Sequence, residues 1–295
     1  MFFEMPVDNS DTNKFCTKAC LAALNAGFLL CKCGQEMKRY EWKFQLPEIG
    51  SNVELKKNKK YVLFHPPESE GTALVTSNTP FEKDRHYYWE VKALTELSGV
   101  DVMIGVGTGR VNYDQLAEQC SLLGLDANSW GYSYRGVIQH DKVKQDYGIP
   151  FGVGCLVGVH LDMWLGTLEY YVNRRARGVA FKGLKKHKML YPMMSATNYS
   201  IFRTICTVSV STSLELYCLK AVMKHPQLYQ TYRCELPQIA EQLERKYFWL
   251  QPSNEVLSKI AIRRRMRKRS FELSDEELSP YSTVSANDLI KRFKS

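Results

Sequence analysis

Between Tyr61 and Val210 no stretch keeps a 3.6-residue apolar period; the chain runs instead as short β-branched and aromatic segments cut by Gly, Pro, Asn and Asp. That punctuation excludes a helical bundle. Because no helical pattern separates the segments, βαβ units are excluded too, and the expectation is a mainly β chain built on an antiparallel β-sandwich. The clearest strands are Tyr87 to Ala93, Val100 to Val106, Ser129 to Tyr134, Leu156 to Leu161, Thr167 to Val172 and Met189 to Ala196. Around Asp162-Met163-Trp164-Leu165-Gly166, Val157, Val159 and Leu161 alternate into a turn and Leu168, Tyr170 and Val172 alternate out of it. This predicts a hairpin with one buried face.

After Val210 the period changes. Ser211, Thr212 and Ser213 supply capping hydroxyls, and Leu214, Tyr217, Cys218, Ala221 and Val222 fall on one helical stripe that stops at Pro226. A second helix is expected from Pro237, a residue suited to a first turn, with Ile239, Ala240 and Leu243 inward and Tyr247-Phe248-Trp249-Leu250 behind. Two short helices cannot enclose a core alone. Their stripe must cover the sandwich, another chain, or both. The expected organisation is an N-terminal arm over 1–35, the sandwich over 36–210, the helical piece over 211–252 and a disordered basic and acidic extension over 253–295.

Charge follows that division. The chain has 40 Lys and Arg against 31 Asp and Glu, a net +9, and from Val256 onward ten basic and five acidic residues hold +5 of it. Basicity is therefore mostly a tail property, concentrated in Arg263, Arg264, Arg265, Arg267, Lys268 and Arg269. Such a run is a nuclear-import candidate; a nucleic-acid contact and a plain solvated tail stay open beside it.

The longest apolar stretch, Ala19 to Cys31, is interrupted by Asn25 and Gly27; a spanning helix needs ~20 apolar residues, so no membrane is expected. Its mixed flank and the Cys31-Lys32-Cys33-Gly34 sequence also depart from a secretory signal. Nine scattered cysteines do not form the paired framework of a secreted domain, which places the chain in the cytoplasm, the nucleus or both. Cys16-x3-Cys20 and Cys31-x-Cys33 match no common two-plus-two zinc spacing and have no His nearby, so neither metal nor cofactor is expected.

Catalytic motifs fail on inspection. Gly105-Val106-Gly107-Thr108-Gly109-Arg110 has Arg110 where a dinucleotide loop needs its third glycine, and Gly131-Tyr132-Ser133-Tyr134-Arg135 ends on Arg where a nucleophile elbow needs glycine. His160 and Asp162 share a strand face, yet spacing ties no nucleophile to them. No catalytic residue is assigned, and the chain is read as a recognition protein.

The motifs Tyr88-Trp89-Glu90-Val91, Ile104-Gly105-Val106-Gly107, Ser129-Trp130-Gly131-Tyr132 and Val157 to Asp162 with Gly166-Thr167-Leu168 and Asn173 resemble, in order and spacing, a SPRY domain. Cys120-Ser121-Leu122-Leu123-Gly124 with Asp126, together with Cys31-x-Cys33 and Glu41-Trp42, looks like the SPRY domain- and SOCS box-containing family. Ser213-Leu214-Glu215-Leu216-Tyr217-Cys218-Leu219-Lys220-Ala221-Val222 is similar to that family's elongin-binding helix. The resemblance implies a substrate receptor of a ubiquitin ligase. Leu214, Cys218 and Val222, with Leu216 and Tyr217, would bind elongin in an elongin B/C pair. Leu236, Pro237 and Ile239 would meet a cullin-RING scaffold, the cullin-5 class before cullin-2, although Leu236-Pro237-Gln238-Ile239 keeps half of the family's Leu-Pro-aliphatic-Pro pattern. Loops at His65, Val100 and Asp101, Gln119 to Leu122, and Tyr199 would grip a short, Asn-rich motif of a target protein. A peptide-binding scaffold without a ligase role, and a chromatin-associated binder acting through the tail, are the alternatives.

Overall fold

In the computed structural model, which describes residues 15–35, 38–47, 52–67, 69–111, 116–225 and 234–251, the chain divides between Ser213 and Leu214. The first unit is the expected sandwich. Its strands are β1 (Val53–Lys56), β2 (Tyr61–Phe64), β3 (Ala73–Val75), β4 (Arg85–Ala93), β5 (Val102–Gly107), β6 (Ser129–Ser133), β7 (Val137–His140), β8 (Val143–Asp146), β9 (Leu156–Asp162), β10 (Thr167–Val172), β11 (Arg175–Phe181), β12 (Tyr191–Ala196) and β13 (Ser200–Ser211). One sheet runs β1-β2-β13-β4-β9-β10-β11 and the other β3-β12-β5-β6-β7-β8.

The core lies between the sheets because alternate side chains of each strand point inward. Trp89, Val91 and Ala93 of β4 meet Val157, Val159 and Leu161 of β9, Leu168, Tyr170 and Val172 of β10, and Ile104, Val106, Trp130 and Tyr132 from the opposite sheet. The hairpin pairs Leu168 with Leu161 and Thr167 with Asp162. Its turn is closed by Asp162 Oδ1, which accepts from the N–H of Trp164 at 3.0 Å and of Leu165 at 2.8 Å. Gly166 sits there at φ +70 with Lys185 N only 2.4 Å from where a Cβ would stand, so the turn requires glycine. His160, buried with Asp162, bonds His86 through a 3.2 Å ring contact. Asp162 is therefore a turn cap, and His160 is one of a stacked histidine couple with His86.

Two expected strands start late. Val100 and Asp101 precede β5, and Met189 and Leu190 precede β12, because both stretches still belong to loops. Strand β13, not among the clearest from alternation, lies between β2 and β4. Both of its faces are covered, which removes the polar alternation that marks a half-buried strand.

The outer face of the seven-stranded sheet is also covered. Helix α1 (Lys18–Asn25), capped by Thr17 Oγ1 accepting from Cys20 N, and the turn after it pack Leu24 and Cys31 with Leu94, Val153 and Ile201. Among the described residues no helix is long and apolar enough to cross a membrane.

The second unit contains α2 (Leu214–Val222), α3 (Pro237–Arg245) and a 3-10 turn at Phe248–Leu250. Pro237 opens α3 as expected, with Ala240 and Leu243 buried and Ile239 half-buried. Glu215 joins α2 to the residues after α3, accepting from Lys246 Nζ at 3.1 Å and Tyr247 Oη at 3.0 Å.

Candidate functional site

The six loop positions fall into a buried frame and an exposed rim at one end of the sandwich. Asp101 is the centre of the frame: Oδ1 accepts from Val102 N at 2.8 Å and Ser133 Oγ at 2.6 Å, and Oδ2 from Ser121 Oγ at 2.7 Å. Its own N–H donates to Thr197 Oγ1 at 3.1 Å, and its carbonyl accepts from Thr197 N at 3.1 Å. Four segments are thus held by one buried residue. Both carboxylate oxygens already carry donors, so Asp101 positions the loops rather than meeting a ligand.

His65 does the same for the first loop. It is buried at φ +52, a left-handed conformation that a non-glycine residue keeps only when its surroundings enforce it. Here Nε2 reaches Ala196 O at 3.0 Å and Nδ1 lies 3.1 Å from Ser69 Oγ. Leu122 is buried as well, in a satellite core with Leu74, Met103 and Met193. The 116–122 segment is fastened by Thr72, whose Oγ1 donates to Glu118 O and accepts from Cys120 N at 3.1 Å.

Val100, Gln119 and Tyr199 form the rim, all exposed. Exposed Ser98, Arg135 and Asn198 add polar groups beside them: Asn198 Nδ2 donates to Ser98 Oγ at 2.9 Å, and the Arg135 guanidinium to Gly99 O at 3.1 Å. No local sequence motif marks Arg135, Ser133 or Thr197 for this site. Their signal lies in strand pairing, since the Met103 and Ser133 register carries the end of β6 to the start of β5. A separate groove lined by Gln45, Leu46, Glu54 and Lys59 runs along β1 and includes none of the six positions.

The second candidate surface is on α2. Leu214 is 80% exposed and Cys218 is exposed, one turn apart, with Val222 half-buried a turn further on. Leu216 and Leu219 are buried and Tyr217 is half-buried. Thus Leu214 and Cys218 share the open face, whereas Leu216 belongs to the covered one. Of the three positions that the resemblance assigns to a cullin, Leu236 and Pro237 are exposed and Ile239 is half-buried. The run Arg263 to Arg269 lies outside the described residues.

Residues 86–208 match the SPRY domain family model. Over 193 residues the chain is 37% identical to "SPRY domain-containing SOCS box protein 3" of Xenopus tropicalis, covering 64% of this chain and 52% of that protein. It is 28% identical over 155 residues to "SPRY domain-containing SOCS box protein 1" of Homo sapiens, covering 49% of this chain and 56% of that protein. The solved SPRY domain of human HERC1 aligns with a TM-score of 0.43 at 18% identity, over 55% of this chain and 93% of that one. The chain spans about half the length of the curated relatives it matches.

Proposed function

Because the chain carries a SPRY domain and is a relative of the SPRY domain- and SOCS box-containing proteins, we propose that it is the non-catalytic substrate-recognition subunit of an elongin-cullin-RING ubiquitin ligase. The observation that carries this reading is the open pair Leu214 and Cys218 on α2. A helix that leaves a leucine in water one turn from a small apolar cysteine presents a knob-like ridge suited to a partner's groove. Leu216 and Leu219, being buried, hold the helix in place while the ridge docks on elongin C.

The loop end supports the other half of the role. A frame fixed by Asp101 and His65 presents Val100, Gln119, Asn198 and Tyr199 as a preformed rim, and amide and hydroxyl groups there suit an Asn-containing linear peptide. The chain then supplies proximity: it holds target lysines near a ubiquitin carrier borne by other subunits and raises their effective concentration. Leu236, Pro237 and Ile239 are assigned to a cullin of the cullin-5 class, and the basic run at Arg263 to Arg269 to nuclear import.

Affinity purification of the full chain, with proteasome and neddylation blocked, tests the assignment. Elongin B/C and a cullin should co-purify with the wild type and be lost with a Leu214→Glu, Cys218→Lys double change, while target capture persists. Retention of elongin by the double variant refutes the ligase role and leaves a peptide-reading scaffold. Deleting residues 256–295 should lower the nuclear fraction, and an unchanged fraction refutes the import signal.

A further inference from the structure

Linear spacing argues against a metal at Cys16, Cys20, Cys31 and Cys33, but folding removes that objection. Cys16 precedes the Thr17 cap, Cys20 lies in the first turn of α1, and the chain returns beneath the helix to place Cys31 and Cys33 opposite them. The four sulfur atoms all lie within 4.8 Å of one another. Cys16 Sγ is 3.6 Å from Cys31 Sγ, and Cys20 Sγ is 3.9 Å from Cys33 Sγ. A tetrahedral zinc with bonds of ~2.3 Å to sulfur holds its ligands ~3.8 Å apart, so these distances bracket the edge of such a site.

A second observation concerns charge. Four thiolates around a divalent cation carry a net negative charge, which neighbouring cations stabilise where the site is partly covered, as here with Cys31 buried and Cys16, Cys20 and Cys33 half-buried. Beneath the cysteine turn lie two buried cations, Lys92 of β4 and Arg203 of β13. Lys92 Nζ donates to Cys33 O at 3.3 Å, and the Arg203 guanidinium donates to Cys31 O and, at 3.2 Å, to Cys33 O. Neither forms an ion pair with a carboxylate among the described residues; Lys92 has the Cys16 and Cys31 sulfurs as its electrostatic neighbours instead. The buried carboxylate on the same strand as Lys92, Glu90, is taken by Arg174, so the Lys92 ammonium and the Arg203 guanidinium are left in excess of buried negative charge, and the cysteine cluster is the group placed to balance them.

We propose that Cys16, Cys20, Cys31 and Cys33 bind one zinc ion in a tetrathiolate structural site that staples α1 and the following turn onto the outer face of the seven-stranded sheet. Soft sulfur donors in tetrahedral array select zinc over harder divalent ions. All four positions are occupied by protein, which leaves no open coordination site for catalysis. The ion's role is to keep the arm over Leu94 and Ile201, whose small apolar cluster would otherwise face water.

Elemental analysis of the full chain purified without chelators should find one zinc per chain, and cobalt substitution should give the sulfur-to-metal charge-transfer and d–d bands of a tetrathiolate. A Cys20→Ser, Cys33→Ser double change should abolish both signals. If that variant folds poorly, hydrogen exchange on the wild type before and after chelation keeps the proposal testable: exchange should rise across 18–25 and 31–35 and stay unchanged across 156–162. Iron in place of zinc, disulfides between these cysteines on peptide mapping, a metal-free chain with four alkylatable thiols, or exchange indifferent to chelation would each overturn it.

Discussion

Ser121 Oγ donates to Asp101 Oδ2 at 2.7 Å, and the bond is wholly buried. It ties the 116–122 loop to the start of β5, so the geometry of the rim depends on a residue that never reaches it. Asp101→Ala orphans the donors of Ser121, Ser133 and Val102 and should cost about 3 kcal/mol, since each stranded buried donor costs ~1–3. Asp101→Asn keeps one acceptor and should cost less. Gln119→Ala, at the exposed rim, should leave stability within about 0.5 kcal/mol of wild type while weakening peptide capture. Thermal unfolding combined with selection from a peptide library checks all three; an Asp101→Ala chain as stable as wild type contradicts the frame.

The faces of α2 make opposite predictions. Truncating buried Leu219 to Ala should destabilise the helical unit by about 2–5 kcal/mol, as for other buried leucines. Truncating Leu214, which is 80% exposed, should change stability by less than about 0.5 kcal/mol. Only the second substitution should abolish elongin capture from an otherwise folded chain. Limited proteolysis and co-purification separate the outcomes, and equal effects at both positions would contradict the division of the helix into a covered and an open face.

Alternation sufficed for the β4, β9 and β10 core because those strands each keep an inward apolar set, and the Val157 to Val172 hairpin was readable to its turn. Strand β13 and the short β1 to β3 were harder: the first is covered on both faces and the others span only three or four residues. The rim positions Val100, Gln119 and Tyr199 came from a resemblance, whereas the roles of Ser133 and Thr197 emerge only from long-range pairing. The cysteine cluster shows the same limit. Ten residues separate Cys20 from Cys31, and only the reversal after α1 brings their sulfurs together.

Glycine spacing that looked like a dinucleotide loop has a packing origin that can be tested. A Cβ on Gly105 would stand 1.9 Å from Trp130 O, whereas one on Gly109 would meet nothing closer than Tyr191 at 3.7 Å. Gly105→Ala must therefore part β5 from β6, an overpacking cost of about 3 kcal/mol or more, and should reduce soluble yield. Gly109→Ala should be near neutral, its φ lying outside the left-handed range. A chemical-denaturation series on both variants decides the matter; equal tolerance would show that the two strands approach less closely than described.

The helical unit should respond to acid through Glu215. Hydrogen bonds from Lys246 and then Tyr247 hold its carboxyl below the usual glutamate range, against a small opposing effect of burial. A carboxylate whose folded pKa is depressed contributes stability that is present above its unfolded value of ~4.3 and lost as pH falls through the folded one. Because both side chains of the Lys246 pair are substantially exposed, the contribution is expected to stay under about 1 kcal/mol. Carboxyl titration by NMR should place the Glu215 midpoint below ordinary glutamates and return it toward them in Lys246→Met. Glu215→Gln should flatten the acid limb of the helical unit's resistance to proteolysis, and a Glu215 midpoint already at the ordinary value would show that the clasp between α2 and the residues after α3 is not formed in solution.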